Sequence, residues 1–300
     1  MAIISTSSFS KALWPGVKEW WGEGYAKWPE LWRNLYDVRS SDKNYEEMAQ
    51  FVGFSTFGLK DENDPITYDT AEQGYVTRFT HSVYALGFQI TREMVEDDQY
   101  GIIGKRRAQA LAFSASNSLN ILGAAPYNNA NSAVYTYGDG VALLHDSHPN
   151  ESGGTWDNLT TSTFSESALE SAIIAIRKWT DDRGLRINLQ AEKLVLPVDL
   201  EFDAERLFNS TLRVGTANND TNALKGLGMF PEGYTTNPWL SSSTSWFIRT
   251  NCPDGMIAFE RRPLEFSPGD NDFDTENARY KASFRISFGC ADPRCIYGYD

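Results

Sequence analysis

The chain has few of the residue types from which reactive sites are built. Its 300 residues hold three cysteines and three histidines. So small and odd a cysteine count cannot make a disulfide scaffold and fits a reducing compartment. Basic residues are scarce too: 27 Lys and Arg face 40 Asp and Glu, a formal net charge of −13. Reading nucleic acid requires concentrated positive charge, so this balance argues against such a module. No apolar run approaches the ~20 residues that cross a bilayer. Stretches such as 121–125 and 141–144 are short. The opening Met1–Thr6 lacks a basic segment ahead of a long apolar one, so no secretory signal is read there. Walker loops, Gly-x-Ser-x-Gly elbows and dinucleotide fingerprints are missing, and Gly226-Leu227-Gly228 reads as a turn. No internal repeat is found, and 241–245 is the one low-complexity stretch.

What is present is a foldable chain rich in aromatics. Hydrophobic residues make up 41% and charged residues 22%, proportions of a folded protein with one large domain or two small ones. There are 9 Trp, 14 Tyr and 17 Phe, and Trp14, Trp20, Trp21, Trp28 and Trp32 all fall in the first 32 residues. The same segment carries Pro15, Gly16, Gly22, Gly24 and Pro29, which predicts that it is not one continuous helix. Burying one aromatic side chain is worth roughly 4–6 kcal/mol as an upper bound. The arm therefore needs a cover, on its own domain or on a neighbouring chain.

After a turn at Ser40–Lys43, residues 50–90 read as a long β excursion. Phe51, Phe54 and Phe57 lead to a charged tip, Lys60-Asp61-Glu62-Asn63-Asp64-Pro65. The return arm alternates through Tyr75, Thr77 and Phe79, then Tyr84, Leu86, Phe88 and Ile90. A two-stranded ribbon of this length is marginal alone and needs something to lie on. A helix is predicted through about residue 122, on a stripe of Ile103, Arg107, Ala110, Leu111, Ser114, Ser118, Ile121 and Leu122, ended by Gly123 and Pro126. A second helix is predicted from Thr163, with Leu169, Ala172, Ile173 and Ile176 on one face, ending near Gly184. Strands are predicted at 193–197 and 246–249, a short helix at 199–208, and a half-buried strand in which Tyr280, Ala282, Phe284, Ile286 and Phe288 share a face. The order is mixed α+β.

Candidate chemistry is thin. His145-Asp146-Ser147-His148 could hold a metal, but between Gly140 and Pro149 a polar turn is the better reading. Asp270, Asp272 and Asp274 resemble a calcium loop but lack its glycine and its final glutamate, since Thr275 and Lys281 stand there. Cys290 and Cys295 read as buried structural cysteines. Acidic residues beside tryptophans allow a carbohydrate-binding or glycan-hydrolysing domain as the alternative function, although 40 acids guarantee some close pair by chance. No catalytic residue, metal site or cofactor is assigned.

The ordered segments resemble the major capsid proteins of tailed bacteriophages, with the Hong Kong 97-type fold, near the Mu-like major head subunit branch. The resemblance runs from about Leu13 to Gly298. It rests on Tyr84-x-x-Gly87-Phe88-x-Ile90-Thr91-x-Glu93, Asp97-Asp98-x-Tyr100-Gly101, Gly138-Asp139-Gly140-x-x-Leu143-Leu144-x-x-x-His148-Pro149-Asn150 and Gly184-Leu185-x-Ile187. Further along are Leu194-Val195-Leu196-Pro197, Trp246-Phe247-Ile248, Arg262-Pro263, Arg279-Tyr280-Lys281-x-x-x-Arg285 and Gly289-x-x-Asp292-Pro293-Arg294.

That resemblance implies an N-terminal arm (1–49), an extended β-hairpin loop (50–90), a peripheral domain with a long spine helix (91–184 and 256–300) and an axial domain (185–255). It implies a non-enzymatic protein that self-assembles as pentamers and hexamers into an icosahedral shell around double-stranded DNA, in the virion and built in the host cytoplasm. The expected subunit interface is Trp14, Trp20, Trp21, Trp28, Trp32, Phe57, Lys60, Asp61, Tyr75, Phe79, Tyr84 and Phe88. Scaffold, portal and decoration proteins would be separate partners, with no membrane partner and no covalent Lys–Asn cross-link. The acidic charge suits a wall along which DNA slides. A portal or tail component fits the ordered signposts less well.

Overall fold

The computed structural model describes residues 9–97, 100–212, 220–269 and 277–300. The alternation near the C-terminus organises the first sheet. Strand β11 (Ala278–Cys290) buries Ala278, Tyr280 and Ala282 while Arg279 and Lys281 face out. It pairs antiparallel with β10 (Met256–Pro268) on one side and with β4 (Ser82–Ile90) on the other. Strand β1 (Asp37–Ser40) adds in parallel to β10, so the order is β1-β10-β11-β4. A second sheet has the order β12-β9-β7-β8, built from β7 (Ala191–Leu196), β8 (Tyr234–Thr236), β9 (Trp246–Thr250) and β12 (Ile296–Tyr299). Strands β2 (Tyr45–Val52) and β3 (Glu72–Thr80) form a separate two-stranded ribbon, and β5 (His148–Pro149) and β6 (Thr155–Trp156) a small one.

The first helix corrects an expectation. Residues Phe9–Tyr25 form one helix, α1, with Pro15 inside it. An interior proline costs ~3 kcal/mol of helix stability. The helix is held by what it lies on. Trp14 and Trp21 stack on Phe266 with centroids 5.2 and 5.1 Å away, and Val17 is fully buried beside Ile90, Ala108 and Tyr280. Gly24 lets the helix approach: a β-carbon there would stand 3.0 Å from the Gln109 Cα.

After the short helix α2 (Arg92–Glu96) comes the long helix α3 (Lys105–Asn128), which outruns its predicted end. Gly123 does not stop it; it admits Trp32. A β-carbon at Gly123 would lie 2.5 Å from the Trp32 Cβ, so the ring of this fully buried tryptophan sits where only glycine leaves room. Pro126 is tolerated in the last turn. The segment before β1 is then tied to α3 by polar contacts: Trp32 N–H donates to Asn120 Oδ1 (3.1 Å) and Tyr36 O–H to the Gly123 carbonyl (2.6 Å). The predicted period holds, but the buried face is displaced from the predicted stripe. Ala108, Leu111, Ala112, Ala115, Ser116, Leu119, Asn120 and Gly123 are buried, whereas Ala110 and Ile121 are exposed. Small residues went inside because large partners on α1 and at Trp32 fill the space.

Helix α4 (Glu166–Lys178) is capped by Ser165, whose Oγ accepts from the Ala168 N–H, so it starts later than Thr163 and ends well before Gly184. Its predicted stripe is buried, against β7, β9 and helices α5 (Glu201–Asn209) and α6 (Ala223–Leu227). Helix α4 and β12 thus pack with the second sheet rather than the first. Strand β4, expected on the ribbon's return arm, pairs with β11 instead, from Ser82↔Ile286 to Ile90↔Ala278.

Candidate assembly surfaces

The ribbon leaves the first sheet through two short connections. One is residues 41–44 after β1, the other is His81 between β3 and β4. Because β1 and β4 are the two edges of that sheet, the ribbon is rooted at both borders. His81 joins the roots. Its Nε2 lies 3.1 Å from Ser41 Oγ and its Nδ1 2.9 Å from Ser287 Oγ on β11. Ser41 O–H donates to Glu46 Oε1 at 2.8 Å, so its oxygen accepts from His81 Nε2–H. Burial and then the Arg285 charge lower the His81 pKa; Glu46 opposes them and Arg261 adds to them. Arg285 also donates to the His81 carbonyl (3.2 Å). Phe79 is buried beside it, edge-on to Phe259 at 5.1 Å.

Beyond the Val52↔Glu72 pair the ribbon opens into an excursion in which every residue from 54 to 70 is exposed. Polar tips are usual on loops; apolar ones are not. Phe57, Leu59 and Tyr68 are 105%, 96% and 92% exposed, and Phe51, Phe54 and Ile66 are exposed as well. Lys60 and Asp61 stand at the tip, also exposed. One clasp holds the base of this excursion to the body. Asp69 accepts from the Ser55 N–H and O–H, each at 2.7 Å, and from Arg183 Nη1 at 2.9 and 3.0 Å. The Ser55 hydrogen bonds first, and then Arg183, hold the Asp69 carboxyl far below the ordinary carboxylate range. Asp69 and Arg183 are 114 residues apart, and no local signal in the sequence links them.

The expected interface residues divide into three groups. Trp32 and Phe79 lie in the subunit's own core, 0% and 3% exposed, so their surface is not offered to a neighbour. Trp14, Trp20, Trp21, Tyr75 and Phe88 are half-buried, and all of these but Tyr75 pack beside α1 and the first sheet. Trp28, Phe57, Lys60, Asp61 and Tyr84 are exposed, with Trp28 edge-on to Phe113 of α3 at 4.7 Å. Leu59, Ile66 and Tyr68 were not singled out by periodicity, although apolar residues within a charged turn mark them.

Metal and sugar sites find no support. Among the described residues no group of three His, Cys, Asp or Glu side chains is placed to hold a metal. His148 is a satisfied core histidine, 2.6 Å from Asp139 Oδ2, 3.0 Å from Asn158 Oδ1 and stacked on Trp156. Asp270, Asp272 and Asp274 lie outside the described residues. The tryptophans that motivated a carbohydrate reading are largely spent internally: Trp32, Trp179 and Trp246 are buried.

A mixed fold in which a long helix packs on one sheet, a second sheet shares part of its core and a ribbon projects from the first defines the Hong Kong 97-like class of shell proteins. Solved structures agree. The chain is similar to the procapsid subunit of bacteriophage JBD30 (14% identity, TM-score 0.52, covering 97% of this chain and 74% of that one). It is also similar to a virus-like particle from Pyrococcus furiosus (9% identity, TM-score 0.56, 95% and 98% covered) and to the capsid of the native GTA particle (11%, 0.55, 90% and 89%). No curated protein sequence matches. The sequence model of the phage capsid protein family matches residues 74–298, and the chain belongs to that family. It is a structural, non-enzymatic capsid protein.

Proposed function

We propose that the 53–71 excursion lies over the body of an adjacent copy, and that this contact, repeated around each subunit, builds pentamers and hexamers of a closed icosahedral shell. The observation that carries this reading is the run of exposed residues from 54 to 70, with Phe54, Phe57, Leu59, Ile66 and Tyr68 in it. Monomers rarely leave so much apolar surface in water, and interfaces of ~1,200–2,000 Å² are the usual way to cover it. The exposed Trp28–Phe113 pair and Tyr84 are secondary contact points. In this reading the second sheet with α4 and α5 forms the axial unit and the first sheet with α3 the peripheral one. The shell encloses double-stranded DNA without reading it, forms in the host cytoplasm, and draws on separate scaffold, portal and decoration proteins.

Replacing residues 54–70 by a short Gly-Ser turn tests the proposal. The variant is expected to keep the parent's circular dichroism and thermal transition but to elute as a small species, while the parent gives shells or rings in negative-stain micrographs. Shells from the shortened chain, equal in yield to the parent's, would refute the role of the loop.

A further inference from the structure

Three thiols gather where the two sheets are joined. The chain passes from the second sheet to the first between β9 and β10, through Cys252, and returns between β11 and β12, through Cys290 and Cys295. Cys290 ends β11, and Cys295 closes the short helical turn Pro293–Cys295 directly before β12. Their Sγ atoms lie 2.9 Å apart, and both residues are buried. A disulfide requires a further approach of the sulfurs to ~2.05 Å. The turn between them is fixed at each end. Asp292 caps it by accepting from the Arg294 N–H at 3.0 Å, and the Cys295 N–H donates to the Asp292 carbonyl at 3.0 Å. Gly255 on the other crossover presses against Cys295, for a β-carbon there would meet the Cys295 Cβ at 2.6 Å. Cys252 packs against the same cluster, with its Sγ 3.5 Å from the Pro253 carbonyl.

We propose that Cys290 and Cys295 are an oxidisable pair that closes to an intramolecular disulfide when the folded chain meets an oxidising medium, leaving Cys252 as a free thiol. The oxidant is a small-molecule disulfide. The thiolate of one cysteine attacks a sulfur of the oxidant, whose S–S bond breaks and releases one small thiol after proton uptake. The second cysteine attacks the protein sulfur of the mixed disulfide and expels the other. Two protein thiols are oxidised, and one disulfide is reduced to two thiols. Burial pushes the Cys290 thiol well above its ordinary range, so little thiolate forms and the step is slow. A cleft of about 440 Å³ beside β2 is lined by Cys252 and by Ala291, Asp292 and Arg294 of the turn between the pair, which lies behind that wall. The new bond ties the end of the first sheet to the start of the second. The inference does not depend on assembly.

The test is equilibration of the purified chain with reduced and oxidised glutathione, approached from both the reduced and the oxidised side, followed by acid quenching. Trypsin separates the two cysteines by cutting after Arg294, so the linked product is peptide 286–294 joined to peptide 295–300, which reduction splits. The expected result is that linked pair, a thiol count in denaturant falling from three to one, and in Cys252→Ser the same linked pair with the count falling from two to none. The equilibrium should favour the disulfide at least ~10-fold more in the folded chain than in guanidinium, because the fold holds the sulfurs together. Three thiols retained from both sides, a Cys252-containing disulfide as the main product, or no gain over the unfolded chain would overturn the proposal.

Discussion

The arm at 9–36 and the excursion at 53–71 are both aromatic and both looked homeless in sequence, yet they end differently. The arm finds small residues waiting: Gly24 against Gln109 and Ala112, Gly123 against Trp32, and an α3 face of alanines and serines. Among the described residues, the excursion is tied to its own body at its base, by Arg183 to Asp69 and to the Thr70 carbonyl. Aromatic content alone therefore does not mark an interface. What decides is whether the same fold supplies a complementary surface of small side chains at close range.

Substitutions sharpen this contrast. Trp32→Ala should cost ~3–5 kcal/mol in denaturant unfolding, because a fully buried ring leaves a cavity that α3 cannot collapse to fill. Phe57→Asp combined with Tyr68→Asp should leave that unfolding free energy within ~0.5 kcal/mol while abolishing shells in micrographs, since neither ring touches the subunit's core. If both variants destabilised the monomer equally, the distinction between the two regions would fail.

A pH titration probes the ribbon's roots. His81 binds a proton less readily in the folded chain than in the unfolded one. The unfolded state thus gains protons first as pH falls, and the stability conferred by neutral His81 is fully present above about 6.5 and lost on acidification below it. Urea unfolding from pH 7.5 to 5 should show this decline, and His81→Gln should flatten it. Smaller still is the effect of loosening the clasp. Arg183→Ala should speed tryptic cleavage after Lys60 several-fold while shifting the melting temperature little, because the contact holds an exposed segment rather than the core. An unchanged cleavage rate would show the clasp to be idle.

Local pattern carried much of the fold. The Leu169–Ile176 stripe and the alternation of β11 at Ala278–Ala282 are buried as their periods require. Three features escaped for physical reasons. Proline rules read α1 and the end of α3 as breaks, but packing against Phe266 and Trp32 outweighed the local cost at Pro15 and Pro126. Apart from Leu111, Leu119 and Tyr127, the buried face of α3 is made of Ala, Ser, Asn and Gly, which hydropathy does not distinguish from a surface. Pairing partners remote in the chain, β4 with β11 and Asp69 with Arg183, leave no trace in a single sequence. The candidate surface was legible as a projecting β excursion with a charged tip, but its membership was not. Phe79 and Trp32 belong to the interior, whereas Leu59, Ile66 and Tyr68 are exposed.

The two-footed mounting of the ribbon has a mechanical consequence. A finger anchored by a single strand can be peeled off one hydrogen bond at a time. Here a tug on the fingertip is divided between β1 and β4, the outermost members of one sheet, and β10 and β11 lie between them. The load runs along the strands as shear, so many ladder bonds must give way together, and the joint resists pulling far better than its slender outline suggests.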